Sequence, residues 1–159
     1  LISRGHSVIA LDPAKGASGL IDLATFQADA GKEPSAEELA SFSPKSLVEC
    51  VQSSHLRGID KVFLALHGKY GEDGYIQALL DMHGIPYTGS TMLSSTIAMS
   101  KLASKRIFQS VGIPTPAFIT LSAASIREKG VDYDRADDIR SELGEGVVIK
   151  PDTEGSTVG

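Results

Sequence analysis

One stretch carries the densest chemistry in the chain: His67-Gly-Lys-Tyr-Gly-Glu-Asp-Gly74, directly after the apolar run Lys61–Leu66. Its glycines at 68, 71 and 74 permit tight turns and close backbone approach. A histidine at a strand tip beside glycine is poorly placed for burial. Contact with a ligand is therefore the favoured role for His67, and a structural hydrogen bond is the alternative. Glu72 and Asp73 precede an apolar helical pattern, so their first reading is local: Asp73 as N-cap and Glu72 as a favourable charge on the helix dipole. His6, His55 and His83 read as ordinary surface residues.

A second set lies further along. Lys101 and Lys105 stand four residues apart, on one face of a helix, with Arg106 adjacent. Without further context they read as a solvated basic face. Lys150 is sharper, because it ends the apolar run Val-Val-Ile-Lys just before Pro151. A lysine there must snorkel or reach an anion, and phosphate suits a compact ammonium. Glu154-Gly-Ser-Thr-Val-Gly159 follows, a loop whose N–H groups and hydroxyls suit phosphate oxygens. It is neither a Walker A loop nor a dinucleotide fingerprint, and no Cys/His spacing for zinc is present.

Parallel α/β units would hold these residues. Leu1–Arg4 reads as a last helical turn stopped by Gly5, and Ser7–Asp12 as a short strand ending in an Asp-Pro turn. Ser35-Ala-Glu-Glu38 fits a capping box before a short helix. Ser43-Pro44 starts a clearer helix, with Leu47, Val48, Val51 and Leu56 on roughly one face and an end near Gly58. Lys61–Leu66 is expected to be a central parallel strand covered on both faces. Helix 75–83, strand 85–88 and one or two helices over 91–111 come next. Strand 117–121, helices 122–129 and 133–143, and strand 147–150 complete the pattern. The order predicts an α/β fold: a parallel-sheet domain over residues 1–89 and the start of a second domain over 90–159. In such sheets ligands bind at the carboxyl ends of the strands, where His67 falls.

Length and composition set the outer limits. The chain has 159 residues, 42% of them hydrophobic and 22% charged, which is ordinary for a globular protein and excludes a disordered tail. A formal charge of −5 argues against general nucleic-acid binding. No apolar run approaches the roughly 18 residues of a membrane helix. The single cysteine, Cys50, forbids an intrachain disulfide and reads as a small buried residue suited to a reducing, cytoplasmic setting. A first residue other than Met, and a last one inside a glycine-rich turn, read as a segment of a longer protein.

Taken together, the residues resemble the D-alanine–D-alanine ligases of the ATP-grasp superfamily. His67-Gly-Lys-Tyr-Gly-Glu-Asp-Gly-Tyr-Ile-Gln-Ala78 is similar to that family's HGxxGEDGxIQ signature. Ile85-Pro-Tyr-Thr-Gly-Ser90, Ala98-Met-Ser-Lys101, Ser104-Lys105, Gly112-Ile-Pro-Thr-Pro116, Val148-Ile-Lys-Pro151 and Glu154–Gly159 follow in the family's order. The resemblance is strong over residues 58–159, weak over 1–12 and general over 13–57. One departure stands out: the family commonly has Asp before the first lysine, where this chain has Ser100.

The resemblance implies a pre-ATP-grasp domain followed by the first part of an ATP-grasp domain. It implies a ligase that phosphorylates the carboxylate of one D-alanine with ATP and joins it to the amine of a second, for peptidoglycan synthesis in the cytoplasm. Lys101, Lys150, Glu154, Gly155, Ser156 and Thr157 would bind ATP, Ser156 would also orient the first D-alanine, and His67 would sit near the reacting carboxylate. Mg²⁺ ligands are expected outside these 159 residues, so no metal ligand is assigned and the segment alone is expected to be inactive. A homodimer is implied for the full-length protein, with no nucleic-acid or membrane partner. The alternatives are a ligase joining D-alanine to D-lactate or D-serine, and a noncatalytic small-molecule-binding module of the same fold.

Overall fold

The computed structural model describes residues 1–23, 35–37, 42–129 and 134–154. The chain divides into two compact units, Leu1–Met92 and Leu93–Gly159.

In the first unit, Ile2–Arg4 form a single 3-10 turn closed by Gly5, whose N–H donates to the Ile2 carbonyl. Strand β1 (Ala10–Leu11) pairs antiparallel with β2 (Leu20–Ile21), Ala10 opposite Ile21. Between them Pro13–Ser18 coil into 3-10 turns, capped by the Asp12 carboxylate accepting from Ala14 N–H at 3.0 Å. Helix α1 (Pro44–Gln52) begins as its sequence requires: Ser43 accepts from Lys45 N–H and proline fills the first position. Leu47, Cys50 and Val51 recur at three- and four-residue steps and are buried. Burial, aided by the nearby Asp12 carboxylate, pushes the Cys50 thiol pKa up. Helix α2 (Tyr75–Met82) supplies Ile76 and Leu80, which with Leu47 and Val51 form the core.

Residues 62–66 lie over that core in an extended path. Val62 N–H donates to the Pro86 carbonyl at 2.8 Å and Thr88 N–H to the Val62 carbonyl at 3.0 Å, a parallel bridge between Val62 and Tyr87. Side chains alternate: Val62, Leu64 and Leu66 pack on the core, while Phe63 is 67% exposed. The segment is thus covered on one face and bonded on one edge, where the sequence pattern led us to expect both faces covered. An apolar run shows that a strand tolerates burial, but not that a second layer is present.

The expected helical stretch 91–111 is two helices, α3 (Met92–Met99), which begins at the last residue of the first unit, and α4 (Lys101–Ser110) in the second, broken at Ser100. Helices α5 (Ala123–Lys129) and α6 (Asp134–Leu143) follow, the latter carrying an exposed Asp137–Arg140 pair. Segments 117–121 and 147–150 join no ladder among the described residues, and Ile149 is 90% exposed. Strand propensity requires a bonded neighbour to become a strand, and none pairs with them there. The expected parallel sheet therefore appears among the described residues as a single bridge. The helix expected after Ser35 falls largely outside the described residues.

Candidate functional site

In the first unit the loop 67–74 is tied to itself at almost every residue. Gly68 N–H donates to Glu72 Oε2 at 2.6 Å, and Glu72 N–H to the Gly68 carbonyl at 2.9 Å. Asp73 accepts from Tyr70 N–H at 2.9 Å and from Tyr75 N–H at 3.4 Å. The helix cap proper is Gly74, whose φ of 99° suits glycine and gives no side-chain bond. Asp73 is thus one residue short of the N-cap position expected for it, although its carboxylate still serves the first helical turn. Tyr70 takes a left-handed φ of 69°, secured by the Asp73 bond and by its ring lying between Phe42 and Tyr75.

Gly71 is where the loop passes closest to the preceding strand. A Cβ there would come 2.6 Å from Leu66 Cβ and 3.1 Å from the Leu66 carbonyl carbon. Its own carbonyl accepts from Nε2 of Gln77, a buried side chain on α2 whose Oε1 has no partner among the described residues. The outcome is a rigid turn from which His67 projects, exposed and with no hydrogen bond among the described residues. A free imidazole on a fixed frame can donate to, or accept from, a small polar ligand.

In the second unit the lysines take unlike positions. Lys101 Nζ donates to the backbone carbonyls of Glu154 at 2.6 Å and Asp152 at 3.3 Å. Both acceptors are neutral carbonyls. Lys105 turns instead to Thr115 Oγ1 at 3.3 Å and the Pro116 carbonyl at 3.0 Å, and lies 4.9 Å over the Phe118 ring. The solvated basic face expected for this pair is replaced by two lysines holding two different segments. Lys150 is exposed, with no hydrogen bond or ion pair among the described residues. Ser100 caps α4 by accepting from Ala103 N–H at 3.1 Å, and its hydroxyl donates to the Asp152 carboxylate. Gly155, Ser156 and Thr157 lie outside the described residues.

The family model described as "D-ala D-ala ligase N-terminus" matches residues 16–90, the whole of the His67 loop included. Over these residues the chain is similar to the N-terminal part of D-alanine–D-alanine ligases. It is 50% identical over 101 residues to a D-alanine–D-alanine ligase of Desulforamulus reducens, covering 64% of this chain and 32% of the relative. It is 46% identical over 102 residues to the ligase of Cupriavidus necator, covering 64% and 28%. The crystal structure of the Bacillus anthracis D-alanine–D-alanine ligase matches with a TM-score of 0.57 and 42% identity, over 74% of this chain and 34% of that one. The same ligase complexed with ATP matches with a TM-score of 0.50 and 45% identity, over 60% and 30%. The chain thus spans about a third of the length of the curated relatives it matches.

Within this family frame, residues emerge that the sequence alone did not single out. Gln77 was visible only as a letter in the signature, and its burial was not. Asp152 had no local signal at all, because its partners lie about fifty residues earlier in the chain. Among the described residues no group of three His, Cys, Asp or Glu side chains could hold a metal ion, and no helix is long and apolar enough to cross a membrane.

Proposed function

We propose that this chain supplies the pre-ATP-grasp domain (residues 1–89) and the first part of the ATP-grasp domain (90–159) of a cytoplasmic, homodimeric ligase that joins two D-alanines for peptidoglycan synthesis. Its parallel sheet would be completed by residues beyond those described. The observation that carries this reading is the Lys101 ammonium, held by neutral carbonyls at the foot of the segment leading into Gly155–Thr157. An ammonium on a fixed helix end suits a nucleotide phosphate. The donor set fits ATP: Lys150 adds a second ammonium, with no hydrogen bond or ion pair among the described residues, and the Asp152 carboxylate is occupied by Ser100 and Leu102.

In the proposed reaction a carboxylate oxygen of the first D-alanine attacks the γ-phosphorus of ATP and ADP leaves. The amine of the second D-alanine then attacks the acyl carbon; phosphate leaves and the amine loses a proton. Lys101 and Lys150 hold phosphate oxygens, and preorganised positive charge there is the main lever in phosphoryl transfer. His67, on its pinned loop, orients the reacting carboxylate. Ser156 positions the first D-alanine, while Glu154, Gly155 and Thr157 border the phosphates. Mg²⁺ would neutralise the β- and γ-phosphates, with ligands from outside these residues.

The test is release of ADP and phosphate by the full-length protein with ATP, Mg²⁺ and D-alanine, repeated with D-lactate or D-serine as second substrate. Release that requires D-alanine alone supports the reading. Turnover only with D-lactate or D-serine moves the specificity, and ATP binding without turnover leaves a binding module. The isolated 159-residue chain is expected to release no phosphate.

A further inference from the structure

Three kinds of bond converge on residues 152–154 from the first turn of α4. Lys101 N–H donates to the Asp152 carbonyl at 3.1 Å. Leu102 N–H donates to Asp152 Oδ1 at 2.7 Å, and Ser100 Oγ to Oδ1 and Oδ2 at 3.2 and 3.0 Å. Lys101 Nζ closes the set on the carbonyls of residues 152 and 154. The carboxylate sits at the positive end of a helix dipole, where a negative charge is favoured.

Ser100 can serve both sides because a hydroxyl donates and accepts at once. It donates a hydrogen bond to Asp152 and accepts one from Ala103 N–H. An aspartate at position 100, the residue common in the resembling ligases, would have no proton to give and would repel Asp152. Ser100 and Asp152 are thus a matched pair, with one carboxylate at the helix end. That carboxylate comes from the segment that carries Lys150 two residues before it, not from the helix itself. A cap built into the helix would steady α4 alone, whereas this one also fastens the end of segment 147–150 to the helix that bears Lys101.

We propose that Asp152 is a positioning residue that fixes Lys150 and Lys101 relative to each other for the nucleotide phosphates. The nucleotide part rests on the ligase reading above; the tether itself does not. The test compares Asp152→Ala, Ser100→Asp and the double variant. Asp152→Ala in the full-length protein should raise the KM for ATP about tenfold, with a smaller effect on kcat. The double variant restores a carboxylate at the helix end without the tether, so it should recover the melting temperature but not the KM. Full recovery of KM in the double variant would reduce Asp152 to a cap and overturn the proposal. In the 159-residue chain without nucleotide, acylation of Lys101 by a soluble anhydride, read by mass spectrometry, should quicken several-fold in Asp152→Ala and stay fast in the double variant. Unchanged Lys101 reactivity in Asp152→Ala overturns the tether whatever the protein catalyses. A wild-type protein with no ATP turnover would sink the ligase reading, and the acylation result would still decide the tether.

Discussion

The His67 loop and the Lys101 cluster reach rigidity by opposite routes. The loop is tied within itself: Gly68 to Glu72, Tyr70 to Asp73, and Gly71 to Gln77, all within six residues. Several of its members, Gly71, Gly74 and Gln77, are buried. The Lys101 cluster is tied across about fifty residues, through bonds made largely at the surface. Local ties cost little chain entropy and are made as the turn forms. Distant ones must first offset loop closure, although that cost grows only slowly with length. The loop therefore behaves as part of the core, and the lysine cluster as a join that can be undone by itself.

Substitutions separate these two behaviours, and the largest effect belongs in the loop. Gly71→Ala should cost about 3 kcal/mol of stability in the first unit, because its Cβ meets Leu66 Cβ and backbone rather than a flexible tip. A thermal melt checks this, and a wild-type melting temperature would show that the loop is looser than its contacts imply. Lys150→Ala in the full-length protein should leave the melt unchanged and weaken ATP binding by about 1.5–3 kcal/mol, the scale of a charge-assisted hydrogen bond. Lys150→Arg should rescue it only in part, since a guanidinium fork differs from a rotatable ammonium. Calorimetric titration with ATP is the measurement, and unchanged affinity removes Lys150 from the site.

Smaller effects divide the loop itself. His67→Gln should lower kcat/KM for D-alanine about tenfold, or about 1.4 kcal/mol, with a melting temperature within a few degrees of wild type. A variant that melts early but turns over normally while folded would make His67 structural. Glu72→Ala should show the reverse order. Its loss frees one turn N–H and costs about 1 kcal/mol of stability, with activity per folded molecule retained.

What was legible in the sequence follows the same division. Helix α1 could be read from Ser43-Pro44 and the apolar residues 47, 48 and 51, because cap, proline and apolar face are neighbours in the chain, although the buried face proves to be Leu47, Cys50 and Val51. The turn at Asp12-Pro13 and the helix stops at Gly84 and Gly112 were legible for the same reason. The position of loop 67–74 is legible, but not which residue caps the helix, because propensity does not distinguish a carboxylate at the cap from one just before it, as Asp73 is. Apolar runs at 117–121 and 147–150 report what the side chains would accept, and a ladder needs a partner that local pattern cannot supply. Asp152 was illegible, since nothing near Pro151 points to Ser100.

Cys50 gives the two units a means of being observed separately. It is the single thiol in the chain, it lies on the buried face of α1 in the first unit, and its raised pKa keeps the reactive thiolate scarce. A disulfide reagent added to the folded protein would therefore label it at the rate at which the first unit opens, and would be indifferent to the second. Labelling kinetics would time one half of the molecule with no engineered probe, at whatever nucleotide concentration is chosen.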